Sequence, residues 1–182
     1  MRHEGLLGAT FADGGVGAGY AEGKVLIVKL GDRDLEPEEY HVRPDNEITG
    51  WAHVCSCGWR GTHWRRAATP RDQDLPARRV WSPHPSPPMD TIDLISGHEY
   101  GEHIAPVRDD VLASLPHLPA DRALTAVGQA RELGASWTDI ATAAGLTPED
   151  AHARWQHAPV QVFTRRHGAQ LAALTRLCTP AD

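Results

Sequence analysis

Residues 134–155, GASWTDIATAAGLTPEDAHARW, decide the fold predicted for the C-terminal part of the chain. Ser136 stands just before a run with helical spacing, and its short polar side chain predicts a helix N-cap. Gly145 follows that run, at a position where helices commonly end in a left-handed residue. Thr147 predicts a second N-cap, and Pro148 suits the first helical position, where its missing N–H costs nothing. The stretch therefore predicts two short helices joined by a tight turn.

Small residues and flanking segments extend this prediction to a domain. Ala141 and Ala151 fall where the two helices would cross, and steeply crossing helices need small residues at their contact. Helical spacing continues on both sides, over about residues 121–133 and 160–177, with no strand-like run between them. We therefore expect an all-α domain over residues 119–182.

The same stretch resembles a known DNA-binding unit. Residues 128–156 are similar to the helix-turn-helix segments of actinobacterial DNA-binding proteins and to sigma-factor region 4. The resemblance is carried by residues 130–137, 140–141, 145–147, 151 and 154–155. In that family the second helix enters the major groove of DNA. The resemblance implies base contacts by Thr147, Pro148, Glu149, His152, Ala153 and Gln156, and a phosphate contact by Arg154.

The charge of the segment keeps a second interpretation open. The second helix opens with Glu149 and Asp150, whose carboxylates repel phosphate, and basic and acidic residues balance over 119–182. A strongly basic face would be the expected footprint of a nucleic-acid binder. We expect a transcription regulator that binds double-stranded DNA. Because one short recognition helix contacts few base pairs, we also expect a homodimer, whose two helices together contact more of them. The alternative is an adaptor that docks on RNA polymerase or another transcription protein.

A second motif, HVCSCGW at residues 53–59, predicts a metal site. Zinc prefers thiolate and imidazole ligands in a tetrahedron, and Cys55 and Cys57 would supply two of them. His98 and His103 have a spacing that finger-type zinc sites allow. On a regular helix these two histidines would point about 140° apart, so both bind only if the helix tightens or ends between them. The metal would be structural.

Other interpretations of the motif remain open. His53 and His63 compete as ligands because they lie close to the cysteines in sequence. Cys55 and Cys57 are also consistent with buried free thiols, or with an enzyme that uses one of them as a nucleophile or redox centre. The C-x-C-G-W stretch resembles small cysteine modules of actinobacterial proteins. No G-x-S-x-G or phosphate-loop pattern is present, and we expect a protein that is not an enzyme.

The most basic stretch lies between Trp59 and Trp81. It holds six arginines and two aspartates, which leaves a local charge of +4. Arginines interleaved with tryptophans are typical of contacts to phosphates and stacked bases, so we expect Arg65 and Arg66 to contact DNA. The alternative is a solvated loop whose tryptophans anchor the core of a small β-rich module.

The rest of the chain divides into two further segments. Residues 1–20 are rich in glycine, and we expect a flexible arm. Residues 21–118 predict a small α+β module with the zinc site, in which residues 24–30 and 48–55 read as strands. Towards its end, helical segments are expected on either side of Pro106, where the first of them would stop.

Composition narrows the class of protein. The chain has 182 residues and a net charge of −6, which excludes a protein whose whole surface coats nucleic acid. Its longest aliphatic run, at residues 25–28, is far shorter than the roughly 20 residues of a membrane helix. Three cysteines, an absent signal-peptide pattern and the preference for arginine over lysine predict a cytoplasmic protein from a high-GC, actinobacterial genome.

Overall fold

The structure, a computed structural model, describes residues 3–159 and 165–178, apart from the side chains of residues 96–98, 165–169 and 171. The chain divides into two compact units, one formed by Met1–Tyr100 with Arg165–Asp182 and the other by Gly101–Thr164. The first holds the strands and the second is helical. The predicted order of an α+β part followed by helices is confirmed.

The first unit is built on one sheet. Its eight strands are β1 (Gly5–Thr10), β2 (Gly15–Ala21), β3 (Lys24–Leu30), β4 (Arg33–Asp34), β5 (His41–Pro44), β6 (Gly50–Cys55), β7 (Trp64–Arg66) and β8 (Arg79–Val80). They are ordered β4-β3-β2-β1-β6-β7-β8, and β5 also pairs with β3. The pairs are antiparallel except β7–β8, which is parallel. The strands predicted over residues 24–30 and 48–55 are confirmed as β3 and β6.

The predicted flexible arm over residues 1–20 is wrong. This stretch forms β1 and most of β2, and β1 lies in the middle of the sheet, paired with β6 from Gly5↔Cys55 to Thr10↔Gly50. Its glycines allow neighbouring strands to pack closely and are not a sign of a flexible segment. A Cβ on Gly8 would come within 2.3 Å of Val16 Cγ1, and one on Gly17 within 2.2 Å of Val25 Cγ1.

The core of the first unit sits on both sides of this sheet. Residues 25–28 of β3 are almost fully buried, because they are covered on both faces. Trp51 is 1% exposed, and its indole N–H donates to the carbonyl of Pro85 at 2.8 Å. The proline-rich segment is thereby fastened to the sheet.

Among the described residues, five α-helices follow: α1 (Ile92–Ser114), α2 (Ala120–Glu132), α3 (Trp137–Ala144), α4 (Pro148–Trp155) and α5 (Arg165–Cys178). The helix end predicted at Pro106 is wrong, since α1 continues through it. A proline inside a helix removes one backbone hydrogen bond without always ending the helix.

The domain boundary predicted at residue 118 is also wrong. The second unit begins within α1 at residue 101, and α5 belongs to the first unit. The assignment of α5 to the first unit follows from its contacts and not from its place in the sequence. A Cβ on Gly19 of β2 would meet Leu174 of α5 at 3.6 Å, and Cys178 Sγ donates to the carbonyl of Ala21 at 3.8 Å.

The second unit contains the two short helices and the turn predicted from residues 134–155. Ser136 caps α3 and shares a capping box with Asp139. Gly145 ends α3 with φ 67°, in the left-handed region that glycine adopts at little cost. Leu146 N–H then bonds the Ala141 carbonyl at 2.9 Å, which closes the turn.

The helices of the second unit pack on small side chains. Ala141 and Ala151 are 1% and 0% exposed, as expected for the place where α3 and α4 approach each other. Ile140, Val127 and Trp155 fill the space around them.

Candidate metal centre and exposed helix

The turn after β6 brings two cysteines together. Cys55 is the last residue of β6 and is fully buried, while Cys57 is half-buried. Gly58 has φ 96°, and its N–H donates to the Cys55 carbonyl at 3.1 Å. Cys55 N–H donates to the Trp59 carbonyl at 2.8 Å, so the chain returns on itself at once. The tight turn directs both thiols towards one place.

The segment before β1 supplies a histidine to the same place. Glu4 N–H donates to Ser56 Oγ at 3.0 Å, and Ser56 N–H donates back to the Glu4 carbonyl at 3.0 Å. This pair continues the β1–β6 pairing past its end. It sets His3 beside the cysteines, with Nδ1 3.6 Å from Cys55 Sγ.

The early turns of α1 lie against the same loop. Glu99 accepts hydrogen bonds from Thr62 N–H at 2.8 Å and from Thr62 Oγ1 at 2.6 Å. The Tyr100 ring stacks on His53 of β6, with ring centroids 4.0 Å apart. His103 follows Tyr100 three residues later on the same helix.

Four ligand atoms converge as a result. Nitrogen atoms of His3 and His103 and the Sγ atoms of Cys55 and Cys57 all lie within 4.8 Å of one another, and the group can hold a metal ion. Ligand atoms in tetrahedral zinc sites, with bonds of about 2.0–2.3 Å, are about 3.3–3.8 Å apart. A small inward movement of the side chains would therefore suffice for binding.

Burial favours the neutral forms of the groups around this site. Burial raises the pKa of the Cys55 thiol, although a backbone hydrogen bond with Cys57 acts in the opposite direction. Burial likewise raises the pKa of Tyr100 to about 12, with the nearby Cys55 as a further cause. A bound cation reverses this preference for the cysteines, since a coordinating thiol loses its proton.

The sequence prediction named three of these four residues. Cys55, Cys57 and His103 are brought together as predicted, whereas the side chain of His98 lies outside the described residues. Among the competing histidines, His53 stacks on Tyr100 and His63 hydrogen-bonds Thr10 Oγ1 at 2.9 Å. Neither belongs to the described group.

His3 was missed because residues 1–20 were expected to be flexible. The signal that could have found it is the pairing of β1 with β6. Gly5 pairs with Cys55, so a residue two positions before Gly5 must lie beside the turn that follows Cys55.

The second candidate surface is the outer face of α4. Five predicted DNA contacts on it are exposed: Thr147, Glu149, His152, Arg154 and Gln156. Two of them also contact aromatic rings. The ring centroids of His152 and Trp137 lie 5.0 Å apart in an edge-on arrangement. The central carbon of the Arg154 guanidinium lies 4.9 Å from the centroid of the Trp155 ring.

Acidic groups lie at the start of this face. Asp150 accepts a hydrogen bond from the Thr147 hydroxyl at 2.9 Å, which holds it at the N-cap, and Glu149 is exposed beside it. Residues 101–164 contain eight acidic side chains and four arginines, so the helical unit has a net charge of −4 with histidine neutral. Its field attracts cations overall.

The two arginines predicted to contact DNA in the first unit have different surroundings. Arg66 is half-buried and donates to the carbonyls of Asp45 at 2.7 Å and Ser82 at 3.1 Å, so it fastens β7 to neighbouring loops. Arg65 is exposed. The two side chains differ because alternate residues of a strand point to opposite faces.

Comparison with known proteins adds no assignment. No protein-family model, no curated protein and no solved structure matches the chain. Among the described residues, no helix has the length and apolar character needed to cross a membrane.

Proposed function

We propose that this protein is a DNA-binding transcription regulator that is stabilised by a structural zinc ion. The convergence of His3, Cys55, Cys57 and His103 carries the metal part of the proposal. The exposed outer face of α4, on a helix whose inner face is buried, carries the DNA part.

Zinc fits the donor set better than other common metals. Two thiolates and two imidazoles match zinc, whereas magnesium and calcium prefer oxygen ligands. Four protein ligands complete a tetrahedron and leave no open position for substrate, which favours a structural role. The ion would join three parts of the chain that are far apart in sequence: residue 3, residues 55–57 and residue 103.

Native mass spectrometry and elemental analysis test the zinc site. We expect one zinc per chain in protein carrying no N-terminal tag, and its loss in Cys57→Ser and His3→Ala. His84→Ala is the matched control, because His84 is exposed and outside the group. A metal-free protein, or full zinc content in both ligand variants, would refute the site.

The DNA proposal follows from how α3 and α4 are joined. Gly145 lets the chain turn sharply, and Ala141 and Ala151 let the helices approach, so α4 buries one face and exposes the other. We infer that α3 and α4 act as a helix-turn-helix, a motif that places its second helix in the major groove. Arg154 would contact phosphate, while Thr147, His152 and Gln156 would face base edges.

Fluorescence anisotropy with pooled genomic duplex fragments tests this function. We expect binding at about 50 mM salt that weakens steeply as salt rises, because phosphate contacts release counterions. Arg154→Ala should weaken binding, whereas Arg122→Ala, an exposed arginine on α2 with the same charge, should not. No binding of any duplex at low salt would overturn the proposal.

A second candidate function is favoured by the charge of the helical unit. Its net charge of −4, with Glu149 and Asp150 at the start of α4, suits a basic protein surface of the transcription machinery. Glu149→Lys separates the two functions. It should strengthen duplex binding if α4 contacts DNA, and weaken capture of purified RNA polymerase if α4 docks on protein.

A further inference from the structure

The first unit exposes several arginines between Trp59 and Trp81. Of the six arginines between Trp59 and Trp81, Arg66 bonds two backbone carbonyls, and Arg79 forms an ion pair with Asp74 at 3.1 Å. The other four, Arg60, Arg65, Arg71 and Arg78, are exposed. We call Arg60, Arg65 and Arg78 the cationic surface.

Arg65 and Arg78 are neighbours in the fold, and Arg60 lies five residues before Arg65 in the chain. Arg65 N–H donates to the Arg78 carbonyl at 2.9 Å, which places β7 beside the residue preceding β8. Partial burial lowers the pKa of His63, and the charges of Arg60 and Arg65 lower it further. Arg60 also donates to the Gly31 carbonyl at 3.0 Å, which limits where its side chain can lie.

Arg78 occupies a backbone conformation that does not suit arginine. It ends the turn between Asp74 and Arg79, whose N–H groups each donate to the other's carbonyl at 2.9 Å, and its φ is +54°. Glycine or asparagine is the usual residue there, because a Cβ makes left-handed backbone unfavourable. A strained residue that keeps a long exposed cation is consistent with selection for the side chain rather than for the turn.

Acidic groups nearby do not neutralise the surface. Hydrogen bonds from Thr62 lower the pKa of the Glu99 carboxylate on α1, and the charge of Arg78 lowers it further. Asp74 is the partner of Arg79. The cationic surface thus keeps an excess of positive charge within a protein whose net charge is −6.

We propose that Arg60, Arg65 and Arg78 form a phosphate-binding surface for duplex DNA, separate from α4. This inference rests on the proposed DNA-binding function and adds a second contact region to it. Guanidinium groups suit the role, because they bind phosphate oxygens in pairs and remain charged at all physiological pH values.

Salt-dependent anisotropy with the full-length, zinc-loaded protein and a random-sequence duplex tests the surface. Arg65→Ala and Arg78→Gly should each lower affinity about tenfold at about 50 mM salt and reduce the slope of log K against log salt by about one. Arg33→Ala is the charge-matched control, since its guanidinium is already paired with Glu39 at 2.7 Å. Its affinity and slope should stay close to the wild-type values.

Arg78→Gly also separates binding from folding. It relieves the left-handed strain, so its thermal midpoint should equal or exceed that of wild type while its affinity falls. If wild type and Arg154→Ala behave as proposed but Arg65→Ala and Arg78→Gly bind like Arg33→Ala, the cationic surface is refuted and α4 remains. If wild type binds no duplex, both proposals fail.

Discussion

The two units of the chain are stabilised over different distances along the sequence. In the first, central contacts join residues about fifty positions apart, such as the pairing of Gly5 with Cys55 and the approach of His3 to the same cysteine. In the second, the contacts that define α3 and α4 span a few residues, such as the Ser136–Asp139 capping box. The fold of the β-rich unit thus depends on contacts between segments that are distant in sequence. The fold of the helical unit depends on residues that begin and end helices locally.

Metal removal should give the largest difference between the units. If zinc joins residues 3, 55, 57 and 103, a chelator should destabilise the sheet by several kcal/mol, the order that structural zinc contributes. Hydrogen exchange should accelerate in β1 and β6 and change little in α3. Equal acceleration in all three elements, or in none, would contradict the contrast.

Gly50→Ala should damage the first unit by steric conflict. A Cβ at this position would lie 2.0 Å from the Trp64 carbonyl oxygen, a backbone atom that cannot move without separating β6 from β7. We expect a loss of about 2–3 kcal/mol, the upper range for overpacking. Urea denaturation followed by circular dichroism measures it. Gly101→Ala, which has open space around its Cβ, should leave stability unchanged or raise it.

Gly145→Ala should destabilise the second unit through backbone conformation alone. No atom lies within 4 Å of the added Cβ, so the cost of about 1 kcal/mol comes from the left-handed φ of 67°. Exchange should accelerate in α3 and α4 while β1 and β6 keep wild-type protection. Gly145→Asn should be milder, because asparagine tolerates this conformation better. An equal effect of both substitutions would show that another property of glycine matters.

The smallest effect is expected from the pH dependence of the α3 cap. Hydrogen bonds from Ser136, side chain first and then backbone, hold the pKa of Asp139 below its ordinary value of 3.8. Its contribution is therefore present above about pH 3.8 and is lost as pH falls through the lower folded value. Asp139→Asn should lower stability at pH 7 by less than about 1 kcal/mol, because the carboxylate is exposed. Thermal melts at pH 7 and about pH 2 should show that this difference disappears in acid.

The local predictions succeeded where the signal was local. Two helices begin at the N-caps Ser136 and Thr147, and α3 ends at Gly145. The hydrogen bonds at these positions join residues three to five positions apart, so their roles can be recognised without the rest of the chain. The strand β3 was equally clear, because β-branched and aliphatic residues follow one another without interruption.

The predictions failed where a glycine-rich stretch is consistent with two opposite structures, a flexible linker and closely packed strands. The run over residues 14–19 has the composition of a flexible linker, yet in β2 these glycines let neighbouring strands approach each other. Treating residues 1–20 as an arm removed His3 from consideration and left His98 as the fourth ligand. The domain boundary failed for a similar reason, since α5 follows the helical unit in sequence but packs with the sheet.

The sequence by itself determined the local elements: the capped helices around Gly145, the strand β3 and a cysteine pair on a tight turn. These follow from interactions within a few residues, which any short segment carries with it. The tertiary structure alone decided that β1 pairs with β6, that His3 and His103 meet Cys55 and Cys57, and that Arg65 is exposed while Arg66 is not. Such contacts depend on which strands become neighbours, because strand pairing joins residues whose separation in sequence carries no signal of its own.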